Sequence, residues 1–308
     1  MLRRLRVAYM IYNLFNRSRL KHNEPLYKEL HLKKRYFSSI SSKDFEGINQ
    51  SVLLQKKNGK GIADTSVFNQ LPQADKDSLL NFEKEGYAIL KGYIPKTDVD
   101  RINQDIEDLL KNGDVRFKYR NKIMFAFKKS KALKKVALDK SLLEILSSLL
   151  SDKAILFQSI NFLMGSEQDT HSDSIHMTTF PLGGLLGVWI ALEDIDLDNG
   201  PLHYYPGSQT LPYYLNKDYD NEGNYFMIGD KDYTEYEKMI EEKIKDHDLE
   251  KKVFTAKAGD LLIWHANLFH GGEPHLNKQK TRKSVVFHYY AEHNVCYHEI
   301  SQRPALMG

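Results

Sequence analysis

The sequence predicts a mainly β fold with flanking helices, closed as a sandwich or barrel. Three observations point there. Two amphipathic helical patterns precede Ala154. Short segments rich in Ile, Val, Phe, Tyr and Trp follow it, and turn signals separate them. With 308 residues, 41% hydrophobic and 28% charged, the chain is long enough to bury a large core.

The opening stretch is basic. Between Met1 and Ser42 stand ten Lys or Arg against Glu24 and Glu29, a net +8, so the rest carries about −5 within a total of +3. Leu2, Leu5, Met10, Leu14 and Phe15 can share much of one helical face, with Arg3, Arg4 and Arg6 near its start. Three readings stay open: an extension packed on its own domain, a helix lying on an anionic membrane surface, or a mitochondrial transit peptide cut near Arg35-Tyr36-Phe37-Ser38. The apolar run Val7 to Tyr12 is too short to span a bilayer, and no secretory cleavage pattern follows. Cys296 is the single cysteine, so no internal disulfide forms, which fits a reducing compartment. A cytoplasmic, membrane-peripheral location is expected, with a mitochondrial one as the alternative.

Ser38 to Ala74 is polar, with Asn58-Gly59 and Gly61 as turn signals, and reads as a loop-rich lead-in. Gly86 to Ile94 is apolar enough for a strand. Pro95-Lys96-Thr97 opens a helix with Thr97 as N-cap; Val99, Ile102, Ile106, Leu109 and Leu110 form its apolar face. A second helix starts at Ser141, with Glu144 completing a capping box. Strands are expected over Ala154 to Met164, Gly187 to Ile195, Lys252 to Lys257, Asp260 to His265 and Arg282 to Ala291. Asn216 to Glu250 is a charged insertion with a helix near Tyr233 to Lys245. The expected division is residues 1–80 as extension and lead-in, and 81–308 as the main domain carrying the 216–250 insertion.

His171-Ser172-Asp173 is the informative tripeptide. In extended chain, residues i and i+2 point the same way, so an imidazole and a carboxylate can converge on one ion. Two histidines and one carboxylate on one face of a metal leave positions opposite for oxygen and a co-substrate, the arrangement of iron(II) oxygenases. A third ligand must come from far along the chain; His265 and His270 are both candidates. The glycines after His270 would allow close approach to metal and substrate. His265 ends an apolar strand, where a histidine is commonly a satisfied core residue. Arg282 and Ser284, two residues apart on one strand face, could grip a carboxylate together. His288 shares that face. Lys118, Arg120 and Lys122 form a basic cluster that reads as a solvated face, with contact to 2-oxoglutarate or an anionic substrate as the alternative; His176 reads as a non-ligand near the entrance, and Trp264 as core.

Several segments resemble the phytanoyl-CoA dioxygenase family: His171-Ser172-Asp173, Val188 to Ile195, Asn199-Gly200-Pro201-Leu202-His203, Pro206-Gly207-Ser208, Gly259-Asp260 leading to His270-Gly271-Gly272, and Arg282 to Tyr289. The resemblance covers about Phe82 to Ala291. It implies a double-stranded β-helix (jelly-roll, cupin-like), with Fe(2+) as metal and 2-oxoglutarate and O2 as co-substrates. Carried over, His171, Asp173 and His270 are the iron ligands, and Arg282 anchors the distal carboxylate of 2-oxoglutarate. Trp189 falls at a co-substrate contact, and Gln158 and Asn161 at further ones. The family's usual Gln between the first two ligands is Ser172 here, at a position facing away from the metal. The implied activity is hydroxylation of a small molecule, lipid or sugar-like metabolite, with release of succinate and CO2. A zinc hydrolase and a non-catalytic cupin-like binding protein are the alternatives on the same ligands. No nucleic-acid motif is present, and the mild charge is no footprint for that partner.

Overall fold

The computed structural model describes residues 4–119 and 121–307. Met1, Leu2, Arg3 and Arg120, named above, lie outside the described residues, as does Gly308. The sheets are antiparallel throughout. The largest has six strands in the order β1 (Tyr87–Leu90), β8 (Leu261–His265), β5 (Leu185–Ala191), β10 (Ser284–Ala291), β3 (Ala154–Phe162) and β2 (Lys122–Met124). A second sheet runs β7 (Lys252–Phe254), β6 (Leu202–Tyr204) and β9 (His270–Gly272). A third runs β12 (Arg303–Pro304), β11 (Val295–His298) and β4 (Thr178–Phe180).

The six-stranded sheet is covered on both faces, which is why β5 and β10 are buried at every position and read as continuous apolar runs. Val188, Ile190, Ile263, Val285 and Phe287 face the helices. Trp189, Ala191, Leu262, Trp264 and Val286 face the β7-β6-β9 sheet, where Leu202, Tyr204 and Phe254 meet them. The helix Lys96–Lys111 lays Val99, Ile102 and Ile106 on the first of these cores, as its periodicity predicts. The first eighty residues also supply a packing face: Leu26, Tyr27, Ile40, Phe45 and Leu53 close over Val295 and Tyr297 of β11.

Several expectations need correction. Among the described residues the α-helices hold more positions than the strands, so the fold is mixed α and β rather than mainly β. The lead-in contains Ser51–Leu54, Ser66–Gln70 and Gln73–Leu80, helices too short to show a 3.6-residue period. Thr97 is inside its helix, and Pro95 takes the N-cap position. The next helix is Lys140–Leu149, capped by the Asp139 carboxylate accepting from the Leu142 N–H at 3.0 Å. Glu144 instead accepts from the Ser66 N–H at 2.9 Å. The insertion's helix is Tyr233–Asp246.

The Gly259-Asp260 pair is structural. Gly259 has φ +92, and a Cβ there would meet the Ile94 carbonyl oxygen at 2.2 Å. The buried Asp260 carboxylate accepts from the Gly92 N–H at 2.8 Å, the Lys257 N–H at 3.0 Å and Lys91 Nζ at 2.8 Å. Asp260→Ala removes all three, and a fall of about 3 kcal/mol in stability is expected, read as a lower denaturant midpoint at unchanged slope.

Candidate metal centre

His171 and His270 face each other as an antiparallel bridge, each backbone N–H donating to the other's carbonyl at 2.9 Å. Their ring centroids are 4.6 Å apart. Asp173 begins the single turn Asp173–Ile175. Its Oδ1 lies 4.0 Å from His171 Nε2, and its Oδ2 3.9 Å from His270 Nε2. One donor atom from each of the three lies within 4.8 Å of the others, and all three residues are buried.

The backbone also sets the tautomers. His171 Nδ1 is 2.9 Å from the Asp169 carbonyl, and His270 Nδ1 is 2.9 Å from the Leu268 carbonyl. A carbonyl only accepts, so each Nδ1 carries a proton, and in the neutral ring it is Nε2 that offers its lone pair to the centre. Burial, then the neighbouring His270, holds the His171 pKa well below the ordinary value. Burial alone would raise Asp173, but His270, His288 and His171 reverse this and keep it a carboxylate. A His171 imidazole held neutral beside an ionised Asp173 carboxylate fits a divalent metal.

A second layer orients Asp173. The Trp264 indole N–H donates to its Oδ2 at 2.8 Å, and His288 Nε2 stands 3.4 Å from the same oxygen. Gln158 Nε2 in turn donates to His288 Nδ1 at 3.2 Å. Trp264 therefore does more than fill core; nothing in its sequence context signals the donor. Gly187 pairs with Trp264 in register, and a Cβ on Gly187 would meet the indole at 2.2 Å. Ser172 faces away, donating to the Ala266 carbonyl at 3.0 Å.

Arg282 is 1% exposed. Its Nη1 donates to Ser284 Oγ at 2.7 Å and its Nε to the Gly200 carbonyl at 3.1 Å. Its guanidinium carbon lies 5.3 Å from the centre of the Trp189 ring. Among the described residues Arg282 Nη2 and Trp189 Nε1 have no hydrogen-bond partner. The Glu193 carboxylate accepts from Thr281 Oγ1 and the Lys283 N–H and reaches Arg282 only through its charge. Burial lowers the Arg282 pKa to about 10, which leaves it a full cation at neutral pH. A buried cation beside two idle donors is a carboxylate-shaped demand.

These groups line one cavity of about 400 Å³, together with Gln158, His176, His298 and Lys122. Lys122 is thus no solvated surface cation: its Nζ donates to Gln168 Oε1 at 3.2 Å, and Gln168 Nε2 stands 3.2 Å from His171 Nε2. His176 lines the wall, its ring 4.8 Å from that of Tyr233 on the insertion helix. His265 is elsewhere, packed against Gly183 and Tyr213, which leaves His270 in the centre. Asn161 is a further correction. It pairs with Val285 on the helix-facing side of β3, because three residues from Gln158 is an odd step along a strand. Gly271 also has another purpose than close approach to a metal. A Cβ there would meet the His203 ring at 2.7 Å, so the glycine admits that side chain.

Sheet architecture and buried donors together define a two-histidine, one-carboxylate centre beside a cationic pocket. Residues 82–284 match the family model described as phytanoyl-CoA dioxygenase (PhyH), and the chain belongs to that family. Among curated proteins, the phytanoyl-CoA dioxygenase domain-containing protein 1 of Bos taurus is 52% identical over 46 residues, and that of Mus musculus 50% over 46. These alignments span only 15% of this chain and 16% of either relative. The solved structure of the non-heme alpha-ketoglutarate-dependent carbocyclase SnoK superposes with a TM-score of 0.58 at 16% identity, covering 76% of this chain and 87% of SnoK. EctD from S. alaskensis, solved with 2-oxoglutarate and 5-hydroxyectoine, gives 0.57 at 18%, covering 75% and 81%. At such identities the likeness is one of fold.

Trp264→Phe keeps an aromatic ring and removes the donor. Affinity for a divalent metal is expected to fall about 10- to 100-fold, measured by titration calorimetry. Gly187→Val should weaken metal binding in the same sense by displacing the indole.

Proposed function

We propose that the chain is an iron(II)- and 2-oxoglutarate-dependent dioxygenase that hydroxylates a small molecule and releases succinate and CO2. One observation carries the reading: the His171, Asp173 and His270 donors lie within 4.8 Å of each other in a cavity whose wall holds the buried Arg282. A zinc hydrolase on the same ligands has no use for such a cation, and a passive binding protein has no use for oriented metal donors. Structures of SnoN and EctD, proteins of the same fold, are described with bound iron, and SnoN with alpha-ketoglutarate also. The double-stranded β-helix implied by the family would then be the six-stranded sheet and its smaller partner sheet. Residues 81–308 would form the catalytic domain, behind a lead-in over 1–80.

Each residue has a role. His171 and His270 would bind iron through Nε2, and Asp173 through a carboxylate oxygen while Trp264 holds its other side. Arg282, aided by Ser284 and Trp189, would bind the far carboxylate of 2-oxoglutarate. Lys122, the second cation of the cavity, suits the near one. Bound iron would supply oxygen activation coupled to oxidative decarboxylation of 2-oxoglutarate. Gln158 and His288 would keep Asp173 in place. Because Asp173 fills the carboxylate position, no halide site opens beside it, which favours hydroxylation. Among the described residues no helix is long and apolar enough to cross a membrane.

Succinate release from 2-oxoglutarate with iron(II) and ascorbate tests the proposal. The wild type should release succinate and Asp173→Ala should not; zinc-dependent hydrolysis without succinate would replace this reading. Arg282→Met separates function from structure. It should weaken 2-oxoglutarate binding by about 3 kcal/mol, roughly a hundredfold, while ligand-free stability stays within about 1 kcal/mol, since a buried charge compensated only in part is being removed.

A further inference from the structure

The helix Arg6–Phe15 is packed inside out. Its inward face carries Arg6, Tyr9 and Asn13: Arg6 Nη2 donates to the Glu222 carbonyl at 3.4 Å, the Tyr9 ring lies 5.2 Å from the Arg303 guanidinium carbon, and Asn13 is 1% exposed. Its apolar residues Val7, Met10, Ile11, Leu14 and Phe15 fall on the opposite arc, at the 3.6-residue period, and all are 44% to 84% exposed. A helix that extends its own domain would do the reverse.

The 216–250 insertion enlarges this face. Leu5 bridges Met227, the Arg6 N–H donates to the Phe226 carbonyl at 3.0 Å, and the Ile228 N–H donates to the Arg4 carbonyl at 2.9 Å. That pairing sets Tyr225 and Phe226, 83% and 72% exposed, beside the helix. Exposed apolar surface in such a cluster marks a docking surface.

Charge selects the occupant. From Arg4 to Asn23 there are five Lys or Arg and no Asp or Glu. Arg17, Arg19 and Lys21 are exposed just beyond the helix. Two acids of the insertion are paired, Asp230 with Arg4 at 3.1 Å and Glu222 with Lys43 at 3.8 Å. A second copy of the chain would set like charges against each other, whereas an anionic bilayer opposes them. We propose that this face docks on an anionic phospholipid surface, with the five apolar side chains at the acyl boundary and Arg17, Arg19 and Lys21 among the headgroups. The same insertion packs the Tyr233 ring against His176, which lines the cavity, so one segment joins the docking face to the surroundings of the site.

Co-sedimentation of the full chain with vesicles is the test. Vesicles of phosphatidylcholine alone are compared with vesicles containing about 30% phosphatidylserine. The wild type should bind the anionic vesicles only, and about 0.5 M NaCl should release it. The double substitutions Ile11→Glu with Phe15→Glu, and Tyr225→Ser with Phe226→Ser, alter exposed side chains and should leave thermal melting unchanged. Each should reduce binding by at least about tenfold. Absence of binding to anionic vesicles, equal binding to neutral ones, or full binding by either variant would overturn the proposal. So would a wild-type dimer in lipid-free solution that Ile11→Glu with Phe15→Glu turns into a monomer, because the face would then join two copies. None of these readouts depends on the chemistry proposed for the metal centre.

Discussion

Two backbone hydrogen bonds between His171 and His270 hold the site together. Side-chain attraction alone could not keep two imidazoles from distant parts of the chain in register against the entropy of the intervening loop. A ladder bridge can, because it fixes both position and facing. A slip of one residue would turn either ring to the other side of the sheet. The surroundings serve this register. Gly271 admits the His203 ring, Gly272 leaves room for Ser166, and the Asp169 and Leu268 carbonyls hold the Nδ1 protons.

The second constraint is electrostatic. The sandwich interior is apolar, yet it contains a carboxylate, several imidazoles and an arginine that only the charge of Glu193 reaches. Asp173 is compensated by histidines and an indole N–H. Arg282 is compensated only in part, by Ser284, the Gly200 carbonyl, the Trp189 ring and the charge of Glu193. Burying a cation this way costs the ligand-free fold stability. Such a cost is understandable where a dicarboxylate supplies the missing charge.

The insertion connects otherwise separate parts. Its helix places Tyr236 and Ile240 against Ile175 and Phe269, which flank Asp173 and His270 in sequence. Tyr233 meets His176, and Met227 pairs with Leu5 at the start of the chain. The ligand turn, the cavity wall and the outward-facing helix thus all meet residues 216–250.

Much of this was legible in the chain itself. His171 and Asp173 share a face because the extended backbone has a period of two, and β3, β8 and β10 announce themselves by composition. The Lys96–Lys111 helix shows its buried face in Val99, Ile102 and Ile106. Other features had no local signature. The three-residue strands β2, β4, β6 and β9 exist only because distant partners supply their hydrogen bonds. The bond from Trp264 to Asp173 depends on which strand lies beside which. By contrast, its glycines and the family likeness favour His270 over His265, and the odd step from Gln158 to Asn161 stands in the spacing of the strand. Periodicity shows that Arg6–Phe15 is amphipathic but not which side faces in. Local pattern is a property of consecutive residues, and the sequence determined it alone. Partnership between segments far apart in the chain depends on how the sheets close, and that was decided only by the tertiary structure.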